Sequence, residues 1–224
     1  MMKSIVSNLF VALLALIAFS GTTWALPSRV SIDVSSLAGS GIELEINLYD
    51  NSGVIGDSWA LIDNVTLEPA IETIDFETGT LEGFEDWLNP VSVGVVSGNL
   101  IGGSYVLRID EDPGVTPTIT YTYRDFLPSA ATTLSFYFEM TASNTPGPWG
   151  LDALVFSILD PVTLSPFPSL PGLYGFGDVL EVTASGVMYS PGVTVTVIPV
   201  PGALLLGMIG IGTMGIFRRF RKSV

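Results

Sequence analysis

Apolar and polar residues alternate with a period of two along much of the chain. Ile42, Leu44, Ile46 and Leu48 are interleaved with Glu43, Glu45 and Asn47, the pattern of a half-buried strand. Leu134, Phe136, Phe138 and Met140 repeat it, and Ile119, Tyr121 and Tyr123 alternate in the same way with Thr118, Thr120 and Thr122. Further strands are predicted at 30–34, 59–67, 91–96, 105–109, 151–159, 179–183 and 193–197. Turn signals separate them, such as Asp50-Asn51-Ser52-Gly53, Glu77-Thr78-Gly79, Asp112-Pro113-Gly114 and Pro146-Gly147-Pro148. Inside 26–196 no helical periodicity exceeds two turns. About ten short strands between turns predict an all-β fold, an antiparallel β-sandwich of the jelly-roll kind.

The two ends break this pattern. Residues 1–25 carry a lone Lys3, an apolar run from Leu9 to Phe19 and then Ser20-Gly21-Thr22-Thr23-Trp24-Ala25, with small residues one and three places before the cut, which reads as a signal peptide cleaved after Ala25. At the other end Pro199 and Pro201 hold the chain extended, and residues 203–217 carry no charge. A helix of that run is about 22 Å long, and Pro201, Gly202 and Phe220 extend it toward the roughly 30 Å of a bilayer core. Arg218, Arg219, Arg221 and Lys222 follow at once and favour the cytoplasmic side. The expected organisation is a signal peptide (1–25), a body (26–196) and a terminal segment (197–224) with a single transmembrane helix, the body lying outside the inner membrane.

Charge sharpens the reading of the body. All 22 acidic residues fall in it against three arginines, Arg29, Arg108 and Arg124, a net charge of −19. Nucleic acid and anionic membrane surfaces are thereby excluded as partners held by charge. The chain has no cysteine and no histidine, which removes disulfides, thiolate chemistry, Ser-His-Asp and Cys-His catalysis and most zinc sites.

A faint repeat runs through the body. Leu44, Ile46, Leu48 and Trp59 recur as Leu134, Phe136, Phe138 and Trp149, and Leu67-Glu68-Pro69 is echoed by Leu159-Asp160-Pro161. Either chance similarity between amphipathic strands accounts for it, or the body holds a partial module (26–70) before a fuller one (73–196).

The terminal segment, Ile198-Pro199-Val200-Pro201-Gly202-Ala203 followed by a glycine-rich apolar run and an arginine-rich end, resembles the PEP-CTERM sorting signal of Gram-negative bacteria. The signature's glutamate is replaced by Val200, as in variants of the form VPxPxA. The resemblance implies handling by an exosortase, a membrane-embedded protease that cuts near the proline motif and passes the protein to the cell surface or matrix. Within the body, Ile74-Asp75-Phe76-Glu77-Thr78-Gly79 with Leu81-Glu82-Gly83-Phe84 resembles the opening of lectin-like and carbohydrate-binding jelly rolls, where such a phrase starts the first strand. Ala60-Leu61-Ile62-Asp63-Asn64-Val65 is similar to their closing strand. That resemblance implies a structural calcium held by Asp63, Asp75 and Glu77.

Calcium takes six to eight oxygen ligands, so the Asp110-Glu111-Asp112 run makes Asp110 and Asp112 further candidates. Trp87 and Trp149 stand in loop-like surroundings and are the candidates for stacking on a sugar ring. The expected function is that of a non-catalytic, exported surface or matrix protein bound to extracellular polysaccharide or structural in a biofilm. The alternative is an exported glycan-acting enzyme working with two carboxylates. A glycosylation-like triplet, Asn64-Val65-Thr66, falls inside a predicted strand and reads as chance.

Overall fold

The computed structural model describes residues 22–24, 27–52, 58–69, 72–86, 92–98, 100–101, 103–110, 118–127, 130–143, 146–148, 150–174 and 176–198. Among them the fold is all-β, with one 3₁₀ turn at Ser35–Leu37, and no helix is long and apolar enough to cross a membrane. In chain order the strands are β1 (Thr22–Trp24), β2 (Ser28–Asp33), β3 (Ile42–Asp50), β4 (Trp59–Glu68), β5 (Glu72–Ile74), β6 (Glu85–Asp86), β7 (Val93–Ser97) and β8 (Tyr105–Asp110). They continue as β9 (Thr118–Phe126), β10 (Thr133–Ser143), β11 (Ala153–Asp160), β12 (Ser165–Pro166), β13 (Asp178–Thr183), β14 (Gly186–Tyr189) and β15 (Val193–Val197). The ten strands expected from the alternation are all present, and the five additional ones are four residues long or shorter.

These strands form two antiparallel sheets packed as a β-sandwich. The first runs β15-β2-β10-β4-β8-β7, with β1 on β10 and β5 on β4, and the second runs β14-β13-β11-β3-β9-β6, with β12 on β11. The chain passes from one sheet to the other at eight of the fourteen connections between these strands. Strands β3 and β4 lie in different sheets, as do β10 and β11, and β3 pairs with β11 while β4 pairs with β10. The two halves of the sequence repeat therefore meet at the centre of both sheets, and residues 28–68 interleave with 118–197.

The period-two pattern dictates the core. Leu44, Ile46 and Leu48 from the second sheet face Leu134, Phe136 and Phe138 from the first, and all six are sealed from solvent. Phe156 stacks on Phe136 with ring centroids 4.5 Å apart and meets Phe138 at 5.8 Å, so the sheets are joined by aromatic contact as well as by burial.

In β9 the alternation holds but the faces are reversed. Thr120 and Thr122 are buried against the opposite sheet, whereas Ile119 is 47% exposed and Tyr121 and Tyr123 stand half-exposed on the outside. Register is the reason: Leu48 and Ile46, both inward, sit opposite Thr120 and Thr122. The Thr122 hydroxyl meets the demands of burial by donating to the Glu85 carbonyl at 2.8 Å.

The phrase 74–84 also differs from its expected part as a first strand. Its first residue ends β5, which four strands, β1 to β4, precede, and the rest is a run of turns. Phe76 and Phe84 drop from it into the core, 5.8 Å apart, with Phe76 at φ +58°.

Candidate functional site

Strand β4 carries a bulge opposite Phe136, where register shifts between Ser135 and Tyr137. Asn64, at φ +49°, is the extra residue, so Ala60 and Ile62 face inward before it and Val65 and Leu67 after it. The bulge leaves Asp63 buried, at 2% exposure, accepting from Asn64 Nδ2 at 3.0 Å. Burial pushes the Asp63 carboxyl up to about 6 against the pull of the Asn64 backbone N–H, and the charges of Glu77 and Asp75 add to the rise.

Asp63, Asp75 and Glu77 thus lie within electrostatic reach of one another. Their oxygens are partly committed: Asp75 Oδ1 accepts from the Glu77 N–H at 3.1 Å, and Glu77 Oε1 accepts from the N–H groups of Ser104 and Tyr105 at 2.7 and 3.1 Å. Among the described residues no three acidic side chains are arranged to hold a metal ion. Asp110 stands apart from this group, opposite Trp59, with both oxygens at 2.7 Å from the Arg108 guanidinium. Asp112, Trp87, Trp149, Ala25, the motif Pro199, Val200, Pro201, Gly202 and Ala203, and the basic cluster Arg218, Arg219, Arg221 and Lys222 lie outside the described residues.

A second constellation occupies the outward face of the second sheet. Strand β3 presents Glu43, Glu45, Asn47 and Tyr49 there, and β9 sets Asp125 opposite Glu43, Tyr123 opposite Glu45 and Tyr121 opposite Asn47. The Tyr121 and Tyr123 rings stack at 5.7 Å with 20° between their planes, and the Tyr123 hydroxyl donates to Glu85 Oε2 at 2.8 Å. On the other flank Ser157 donates to Asp178 Oδ1 at 2.8 Å. The outward residues Ala153, Val155 and Ser157 of β11 are themselves buried.

Electrostatics mark one end of this face. Glu43 is 3% exposed and its carboxyl is pushed up to about 7, first by burial, then by the charge of Glu45 and by a hydrogen bond and charge from Asp125. A hydrogen bond between two carboxyl groups requires one of them to hold a proton. Glu43 Oε1 has no hydrogen-bond partner among the described residues. Burial, with Asp178 and Glu181 nearby, raises Tyr49, and burial with Glu45 and Glu43 raises Tyr121. The body's three arginines do not relieve this charge, being paired with Glu68 (Arg29), Asp110 (Arg108) and Glu72 (Arg124).

No known protein family, no curated protein and no solved structure matches the chain.

Chemically, the face combines a flat aromatic pair with carboxylates that accept from hydroxyl or ammonium groups. Sequence reasoning put the stacking role on tryptophans and missed this tyrosine pair. The polar side of β3 was visible in the alternation, but that β9 lays its tyrosines beside it depends on register.

Proposed function

We propose that this chain is an exported cell-surface or matrix protein whose sandwich binds extracellular polysaccharide without cleaving it. In this reading an exosortase-like membrane protease acts near Pro199–Pro201 after transient anchoring in the inner membrane, and the signal peptide is removed after Ala25. The observation that carries the binding role is the Tyr121–Tyr123 stack beside Asn47, Glu45 and Glu85, since paired rings take the apolar face of a pyranose while neighbouring carboxylates and amides accept from its hydroxyls. A jelly-roll winding fits the placement of β2 beside β10 and of β3 beside β9.

Calcium enters the reading as a ligand that Asp63, Asp75 and Glu77 would share. Glu77 would exchange its two backbone donors for the ion. A glycan array run with and without calcium, beside an assay for released reducing sugar, tests the whole. Saturable binding without product is expected, and Tyr121→Ala with Tyr123→Ala should weaken it at least tenfold, at about 1–3 kcal/mol per lost stacking or hot-spot contact. Released sugar would turn the assignment toward an enzyme using the Glu43–Asp125 pair.

A further inference from the structure

The outward face of the second sheet is negative without compensation. Glu43, Glu45, Glu85, Asp125, Asp178 and Glu181 gather around the tyrosine pair and Tyr49, and strands β3, β6, β11, β13 and β14 contain no lysine or arginine. Arg124 of β9 points inward, onto Glu72 and over the Phe126 ring. A polymer of uronate, sulfate or phosphate groups meets only repulsion here.

Glu43 supplies an independent observation. It is almost fully buried, opposite Asp125 and two residues from Glu45 on the same face, and its Oε1 has no hydrogen-bond partner among the described residues. A buried acceptor left unmet is costly, and a carboxylate beside like charges is costlier still. A sugar hydroxyl would satisfy the acceptor but leave uncancelled the negative charge that the proton-sharing Glu43–Asp125 pair still carries beside Glu45. An ammonium group donates up to three hydrogen bonds and cancels charge as well. A metal ion demands several oxygens at about 2.3–2.6 Å, whereas an ammonium tolerates the wider spacing of carboxylates along one strand and across to the next. Beside the carboxylates, stacked tyrosines attract a cationic ring through their π faces as well as its C–H groups.

We infer that this face takes an amine-bearing, cationic polysaccharide of the glucosamine type, with Glu43 and Asp125 receiving an ammonium group and Tyr121 and Tyr123 stacking on the sugar. The inference rests on the polysaccharide-binding reading above and narrows it to one chemical class.

Titration calorimetry on the full chain in mild detergent, at pH 6.5, tests it with three probes: a glucosamine hexamer, an N-acetylglucosamine hexamer and a galacturonate hexamer. The glucosamine hexamer should bind at least tenfold more tightly than the acetylated one, and the galacturonate hexamer should give no heat. Glu43→Gln with Asp125→Asn should bring glucosamine affinity down to the acetylated level. Asp33→Asn with Glu139→Gln removes the same charge from the other sheet and should leave the tenfold ratio intact. If that control pair erases the ratio as fully, the attraction is diffuse and the inference falls. Equal or tighter binding of the acetylated hexamer overturns the inference and leaves the polysaccharide reading standing. Silence from all three probes defeats both, and displacement of the glucosamine hexamer by magnesium or calcium at micromolar concentration would make the face a metal site instead.

Discussion

At the scale of single residues, Glu43 joins sequence to chemistry most directly. In the chain it is one polar member of an alternating strand, and only the fold places Asp125 against it and removes water from around it. Its folded carboxyl titrates above that of an unfolded glutamate, so between about pH 4.5 and 7 the folded state holds more protons, and stability falls as pH rises through that window. Asp63, raised to about 6, acts in the same direction. Glu43→Gln keeps the shape without the charge. Thermal melts should show this variant about 1–2 kcal/mol more stable at pH 8, a Tm rise of roughly 3–6 °C, with little gain at pH 4. A variant no more stable than the parent at pH 8 would show that Glu43 carries no repulsive charge. Part of this was legible: the polar face of β3 could be read from 42–48, but burial of a charged residue on the solvent side of a strand leaves no mark in its periodicity.

At the scale of elements, most of the ten longer strands were legible because apolar and polar residues alternate along them, others, such as β11, because an apolar run stands between turn signals, and the five missed are too short to show a period. The reversed face of β9 has a different origin. Threonine is β-branched and packs on a pleated surface nearly as valine does, so a Thr/Tyr alternation does not say which set faces in. The bulge in β4 is a third case, since Asn64 shifts the inward set from even to odd numbers and hides the strand's period. Asn64 holds a left-handed conformation that a β-branched side chain resists. Asn64→Val should cost about 1–3 kcal/mol in urea denaturation, and Asn64→Gly well under that. If valine is accommodated without loss, the bulge is not fixed by the backbone at 64. A resemblance, not a periodicity, pointed to the calcium candidates.

For the whole molecule, the two halves of the faint repeat sit at the centre of both sheets, β3 beside β11 and β4 beside β10. Deleting 26–70 would remove two central strands and β2, stripping both flanks of β10, which carries Phe136 and Phe138, and one flank of β11, which carries Phe156. Such a truncation should fail to fold, with no cooperative melt and rapid proteolysis, while a protease-resistant core beginning near Ile74 would contradict this. Charge belongs to this scale too: the excess of carboxylates was plain in the composition, but its concentration on one face beside two stacked rings came from the order of strands. Strands β2 and β15 run side by side, and the Ile198 N–H donates to the Pro27 carbonyl at 2.7 Å. The entry and exit of the sandwich therefore share one corner. A circular permutant with 27 and 198 spliced by a short glycine bridge and new ends opened between Ser52 and Ser58 should reach the same architecture, and cargo attached at 27 or at 198 would hang from the same spot.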